Sequence, residues 1–366
     1  MINQPDDLRR LGWRDDMQAH LIALDDASLK PARVVVEHRG RYRVWGRDGV
    51  QWAWPPQGMR RKVSSLEKPG VGDWVALRAG AQGDLDQITH TLPRRTTLTR
   101  QAAGERAEPQ LVAANLDAVF VVTSMNLDFN VRRLERYLSV VRAGGAEPVI
   151  VLNKADLADE GARARFREQA AAIADGVDIV ETSALSAEQA APLGRWLGPG
   201  RTVGLVGSSG VGKSSLANAL LGEEALNTAD IREHDAHGRH TTTHRELLLL
   251  PGDRGVLVDT PGMRELQLWT GEAIDAVFPD IAALLDGQCR YRDCRHNGEP
   301  GCAIAESLED GSLHPGRWAS YQKLTAESAA QARRRAQLDA RGPRYSGKHR
   351  GKGKGKSKGK SRKKRR

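Results

Sequence analysis

Only three cysteines occur among the 366 residues, Cys289, Cys294 and Cys302, and all fall within fourteen positions. An odd count confined to one place excludes a disulfide scaffold. No apolar run approaches the roughly eighteen residues of a membrane helix. The longer ones, such as AVFVV (118–122) and PVIVL (148–152), have strand length. The opening MINQPDDLRR lacks the basic and then apolar order of a secretory signal. A soluble cytoplasmic protein with no membrane partner is therefore expected. Residues 342–366 lack acid altogether and carry 13 Lys and Arg, which leaves 43 basic against 46 acidic residues elsewhere. The net charge of +10 thus belongs to a tail on a mildly acidic body.

That tail, GPRYSGKHRGKGKGKSKGKSRKKRR, has no apolar residue beyond Tyr345 and is expected to be disordered. Lysine alternating with glycine makes a flexible polycation, suited to many phosphates and blind to bases. Its expected contact is RNA or DNA phosphate.

The body divides by texture. Residues 1–31 are a charged, weakly patterned extension, expected to be partly helical or ordered on contact. Residues 32–98 hold five short β-branched and aromatic runs broken by Gly, Asp and Pro, including ARVVVEHRGRYRVWGR, GVQWAW and GDWVALRAG. Close spacing of such runs predicts a small OB-like β-barrel. Its rims offer Arg60, Arg61, Lys62, Arg94 and Arg95 among Tyr42, Trp45, Trp52, Trp54 and Trp74. Such barrels stack single-stranded nucleic acid on aromatics beside cations, although most of these tryptophans are expected to fill the core. A polar segment, 99–112, reads as a linker. From 113 to 270 strands alternate with helices, the pattern of an α/β doubly wound domain. Residues 271–341 form a Cys/His-bearing module ending in a charged helix.

GSSGVGKS (207–214) follows the strand TVGLV and opens the helix SLANALL, the context a phosphate-binding loop requires. The candidate phosphate contacts are Gly207, Ser208, Ser209, Gly210, Val211, Gly212, Lys213, Ser214 and Ser215. Gly207 and Gly212 let the backbone curl so that its N–H groups face the phosphates, aided by the helix N-terminus. Lys213 is placed to neutralise the β- and γ-phosphates and Ser214 to ligate Mg²⁺. VLVDTPG (256–262) brings Asp259 to a strand end as the second Mg²⁺-side group, with the Gly262 N–H offered to the γ-phosphate.

NKAD (Asn153, Lys154, Ala155, Asp156) stands ahead of that loop. The Asp156 carboxylate matches guanine N1–H and N2–H₂ in a charge-assisted pair, which adenine cannot offer. Asn153 is placed for the other edge and Lys154 for the ring face. TSA (182–184) puts Ser183 and Ala184 at a second strand end, where a backbone N–H meets guanine O6. The expected nucleotide is GTP. Between the loop and DTPG lies HGRHTTTHRE (237–246), where one threonine would close over Mg²⁺. Three consecutive threonines leave the register open, with Thr242 favoured. Met263 occupies the place of a water-orienting glutamine, so intrinsic hydrolysis is expected to be slow. His240 is the candidate catalytic replacement, its alternative being an ordinary loop histidine.

Cys289, Cys294, His296 and Cys302 give C-x4-C-x-H-x5-C. Three thiolates and an imidazole suit one tetrahedral Zn²⁺ with no open position, hence a structural site.

Taken together, VGDWV (71–75), LPRRT (92–96), NKAD before GSSGVGKSS, GRHTTT, DTPG and the Cys/His spacing resemble one family. This is the circularly permuted GTPase family RsgA, also called YjeQ, which depends on the small ribosomal subunit. The resemblance spans about residues 32–330. It implies an OB barrel, a permuted GTPase domain and a zinc domain in one monomeric chain. It also implies a GTP hydrolase with Mg²⁺ and Zn²⁺ whose partners are the 30S ribosomal subunit, its 16S rRNA and an assembly factor released late in maturation. Hydrolysis would be slow and stimulated by that subunit, with the histidine at 240 taking part. The two chain ends depart from the family pattern. The alternative reading is an RNA-binding protein for which GTP is a passive ligand.

Overall fold

The computed structural model describes residues 7–38, 40–56, 66–81, 84–101, 109–126, 128–185, 187–208, 210–222, 246–259, 272–275, 278–286, 288–291 and 293–340. The β-branched runs near the start of the chain form β1 (Lys30–His38), β2 (Arg41–Gly46), β3 (Gly49–Trp54), β4 (Trp74–Arg78) and β5 (Asp86–Thr91). They close in the order β1-β2-β3-β5-β4, with β4 pairing back onto β1. Closure removes the exposed sheet edges that would otherwise invite aggregation. Ala32, Val34, Val44, Ala53, Val75, Leu77 and Ile88 fill its interior. This is the OB-like barrel expected from the spacing.

Two of the expected RNA-facing cations serve the fold instead. Arg94 makes a bidentate pair with the fully buried carboxylate of Asp73, at 2.8 and 2.7 Å, and also donates to the Leu66 and Lys68 carbonyls. Arg95 pairs with Asp117 at 2.8 Å. Arg60, Arg61 and Lys62 lie outside the described residues. Trp74 is filler, buried edge-on against Trp13, whereas Trp54 is 43% exposed and Trp52 lies beneath Arg41.

The N-terminal segment supplies α1 (Asp7–Arg10) and α2 (Asp15–Ile22), and it buries Leu8, Leu11 and Met17 in the same cluster as Trp74. The stretch read as a linker is in part a ribbon, because β6 (Thr97–Gln101) pairs antiparallel with β7 (Pro109–Ala114). Leu98, Leu111 and Val112 are buried there, so the ribbon is held by packing that its polar tip conceals.

The α/β region has a six-stranded sheet. Its strands are β8 (Ala118–Ser124), β9 (Glu147–Asn153), β10 (Asp178–Glu181), β11 (Thr202–Val206), β12 (Glu246–Leu249) and β13 (Val256–Asp259). The order is β10-β9-β8-β11-β13-β12, with only β12 antiparallel. Its near-continuous Val, Ile and Leu runs are buried on both faces, as a parallel sheet requires. Between the strands lie α3 (Val131–Ala143), α4 (Glu160–Ala171), the short α5 (Ala187–Ala190) and α6 (Lys213–Leu221). The chain steps outward through β8, β9 and β10, then crosses back to lay β11 beside β8. Ligands bind open α/β sheets at such a reversal, beyond the carboxyl ends of the strands.

The C-terminal module contains α7 (Glu272–Asp275), α8 (Pro279–Leu285), α9 (Ala303–Glu309) and α10 (Pro315–Ala340). No helix among the described residues is long and apolar enough to cross a membrane.

Candidate nucleotide site and metal centre

Five of the parallel strands end on one edge of the sheet, and the sequence motifs sit there. After β11 the chain turns through Gly207 and Gly210, both at positive φ, and enters α6 through Gly212 at φ 96°. A Cβ on Gly212 would be driven into the Asn153 amide, and one on Gly207 into the Val122 carbonyl. Only glycine meets both the backbone conformation and the space. Lys213 Nζ donates to the carbonyls of Gly207 (2.9 Å) and Ser208 (2.6 Å). Burial pulls its pKa below the ordinary lysine value, while the charge of Asp259 acts in the opposite direction. Ser214 and Ser215 are exposed at the start of α6.

The base-side residues come from two neighbouring strands. Asn153 is fully buried at the end of β9; its Nδ2 donates to the Val211 carbonyl at 2.8 Å and its Oδ1 accepts from Thr182 Oγ1 at 3.2 Å. Lys154 takes a left-handed conformation, φ 63°, and its Nζ donates to the Gly210 carbonyl at 2.7 Å. Ala155 and Asp156 form a 3-10 turn with Leu157, and the Ala155 N–H is held by the Thr182 carbonyl at 3.1 Å. Asp156 is exposed and accepts from Ser183 Oγ at 2.6 Å. Ser183 and Ala184 follow β10 after Thr182, so the NKAD and TSA segments form one rim facing the loop.

Asp259 ends β13, the neighbour of β11 on the side away from β8. The structure thus gathers Asn153, Lys154, Ala155, Asp156, Ser183, Ala184, Gly207, Ser208, the loop and helix start from Gly210 to Ser215, and Asp259 at one sheet edge. Ser209, His240, Thr242 and Gly262 lie outside the described residues.

The RsgA GTPase family matches residues 91–269. A small ribosomal subunit biogenesis GTPase RsgA from Opitutus terrae is 43% identical over 353 residues, covering 92% of this chain and 94% of its own. The chain belongs to the RsgA GTPase family. A second relative, from Vibrio parahaemolyticus and named small ribosomal subunit biogenesis GTPase RsgA 2, is 43% identical over 331 residues, or 90% of this chain and 88% of its own. Among solved structures, YjeQ from Thermotoga maritima aligns with a TM-score of 0.58 at 27% identity, over 82% of this chain and 99% of its own. YloQ, described as a circularly permuted GTPase, aligns with a TM-score of 0.57 at 25% identity, over 83% and 96%. The motif order of this RsgA chain is that permutation. A site depends on which strand ends meet in space, so reordering the strands along the chain leaves it whole.

In the RsgA chain's C-terminal module, the ligand atoms of Cys289, Cys294, His296 and Cys302 all lie within 4.8 Å of one another. His296 Nδ1 is 3.5 Å from Cys289 Sγ and 3.6 Å from Cys302 Sγ. A tetrahedral ion with ordinary Zn–S and Zn–N bonds sets such a pair about 3.6 Å apart. The donor set and its spacing therefore fit one Zn²⁺. Glu299 shapes the loop by accepting from the backbone N–H groups of Arg295 (3.1 Å) and Asn297 (2.7 Å). Trp318 of α10 meets the His296 ring edge-on at 6.2 Å and stacks on Tyr321.

Sequence reasoning missed two charged anchors. Arg33 of β1 is fully buried beside Trp74 and donates to the carbonyls of Leu11, Gly72 (3.1 Å) and Asn115 (3.2 Å) and to Thr202 Oγ1 (2.8 Å). One guanidinium thus ties the N-terminal helices, the barrel and the first residue of β11, and burial lowers its pKa to about 10. Arg317 of α10 forks onto Asp280 at 2.7 Å twice and reaches the buried Glu135 of α3 at 3.1 Å, lying over the Phe278 ring. The available signal for the second anchor was Glu135 itself, an acid within the apolar stripe of VRRLERYLSVV.

Proposed function

We propose that this chain hydrolyses GTP while bound to the assembling small ribosomal subunit and thereby assists that subunit's late maturation. The observation that carries the reading is the Asn153–Val211 hydrogen bond, which presses the base-reading segment against the phosphate loop across 58 positions of sequence. Asp156, aided by Asn153, Lys154, Ser183 and Ala184, reads guanine. The loop from Gly207 to Ser215 holds the phosphates, and Gly262 contributes its N–H. Lys213 leaves the loop carbonyls for the more negative β- and γ-oxygens. Ser214, Asp259 and Thr242 hold Mg²⁺, which neutralises charge on the phosphates. The Zn²⁺ held by Cys289, Cys294, His296 and Cys302 is structural, since four protein ligands leave no open position.

The side chain of methionine at 263 has no amide to orient water, only a weakly accepting thioether, so hydrolysis is slow until the subunit positions His240. The names of the relatives supply the partner, and the polycationic tail suits its 16S rRNA. The protein acts as a monomer in the cytoplasm, and its hydrolysis promotes release of an assembly factor. The Glu135–Arg317 contact joins the nucleotide domain to the zinc module and supplies a route by which bound nucleotide would set the orientation of that module. Co-sedimentation with small subunits tests the reading. Stronger binding with a non-hydrolysable GTP analogue than with GDP is expected; equal binding in both states would remove the coupling.

A further inference from the structure

Helix α3 starts at the crevice where the strand order reverses. It follows β8, while the phosphate loop follows the adjacent β11. The Asn130 side chain caps the helix by accepting from the Arg133 N–H at 3.0 Å, which fixes Arg133 on the first turn. From there its guanidinium reaches the phosphate loop and donates from Nη1 to Ser208 Oγ at 2.6 Å. The carbonyl of the same Ser208 holds Lys213 Nζ. Two cations from different elements therefore rest on one residue of the loop, and a third, Lys154, rests on Gly210.

The arrangement gathers positive charge that a bound anion would offset. Two like charges share one anchor, and the first turn of α3 carries Arg132 and Arg133 and no acid of its own. A helix N-terminus favours negative charge, so arginines there cost stability. A polyphosphate in the loop reverses the sign of that cost. Arg133 is exposed, and its bond to Ser208 Oγ uses only one of the five N–H donors of a guanidinium.

We propose that Arg133 is a chain-borne arginine for the terminal phosphate, turning from Ser208 Oγ to a γ-phosphate oxygen when GTP binds. This rests on the GTP-hydrolase reading above and adds a catalytic residue to it. In the reaction, the water oxygen forms a bond to Pγ and the bond from Pγ to the β,γ-bridging oxygen breaks. The electron pair stays on GDP, one water proton remains on the hydrogen phosphate product and the other passes to solvent. Arg133 keeps its proton throughout and stabilises the charge that grows on the γ- and bridging oxygens. Arginines so placed act mainly on the transition state and little on the diphosphate product.

The test compares wild type, Arg133→Ala and Arg133→Lys in single-turnover hydrolysis, in GDP affinity and in trapping of the GDP–aluminium fluoride complex. Arg133→Ala should lower kcat about tenfold or more while GDP affinity stays within about threefold. It should also lose the fluoride complex, and Arg133→Lys should recover part of both. An active wild type with Arg133→Ala unchanged in kcat and trapping overturns this proposal alone. So does an equal loss of GTP and GDP affinity at unchanged kcat, which marks a role confined to loop structure. A wild type that neither binds nor hydrolyses GTP overturns the parent reading as well.

Discussion

Asn153, at the end of β9, donates from Nδ2 to the carbonyl of Val211 at 2.8 Å and so joins two motifs that the chain presents in reversed order. The bond is fully buried, and the Asn153 Oδ1 is held in turn by Thr182. Both amide atoms are thereby fixed before any nucleotide arrives. Preorganisation of this kind reduces what binding must spend on ordering the site.

Base choice should follow the carboxylate of Asp156. Asp156→Asn exchanges an acceptor for a donor at the purine 2-position, which suits the carbonyl of xanthine and leaves the guanine amino group facing another donor. GTP affinity should fall by about 100-fold or more, and xanthosine triphosphate should gain. Competition binding with the two nucleotides checks this. Unchanged GTP preference would remove Asp156 from the base site.

Gly212→Ala should damage both stability and nucleotide binding. The new Cβ meets the Asn153 amide at a backbone φ of 96°. Left-handed strain alone costs about 1–2 kcal/mol, and the clash adds to it. Thermal unfolding and GTP titration together report the two effects.

Arg317 donates to Oε1 of a carboxylate, Glu135, that lies at 1% exposure on α3. Breaking such a pair on one side costs on the order of 3–5 kcal/mol. Burial already holds the Glu135 pKa above its ordinary 4.5, against the opposing pulls of Ser320 and, through its charge and hydrogen bond, of Arg317. In Arg317→Ala the pull of Arg317 is gone, and the value rises further. A carboxyl whose folded pKa exceeds its unfolded one binds a proton more tightly when folded, so stability falls as pH rises through the interval between them. The variant should therefore be less destabilised at about pH 5.5 than at about pH 8. Denaturant unfolding at the two values, with zinc present, measures the difference. Glu135→Gln should be milder than Arg317→Ala, because no buried charge is left behind.

Zinc removal should loosen the C-terminal module and spare the nucleotide site. Trp318 sits on His296 and Tyr321, so chelation should change its near-ultraviolet dichroism and release one zinc per chain. GTP affinity should persist, since the loop is braced by β8, β9 and β11. Cys302→Ser should reproduce the chelated state. Metal analysis without zinc would contradict the assignment.

The elements nearest the chemistry were legible because each is written locally. GSSGVGKS is strand, glycine turn and helix in one stretch, and NKAD ends an unbroken apolar strand. Barrel strands announced themselves through Val, Ile and Trp runs between turn residues. What stayed hidden depends on partners distant in sequence. Arg33 reads as any surface arginine within ARVVVEHR, and only the approach of Leu11, Gly72, Asn115 and Thr202 makes it interior. Arg94 reads as a rim cation until Asp73 is placed beneath it. The β6–β7 ribbon was masked by its polar tip, and Arg133 by its place outside every phosphate-binding motif.

The most direct measurement is GTP turnover by the purified protein alone and with small subunits, large subunits or free RNA. Strong acceleration by small subunits only is the predicted result, and it should weaken in Arg133→Ala. Equal, slow turnover in every mixture would contradict the account and leave GTP as a passive ligand of an RNA-binding protein.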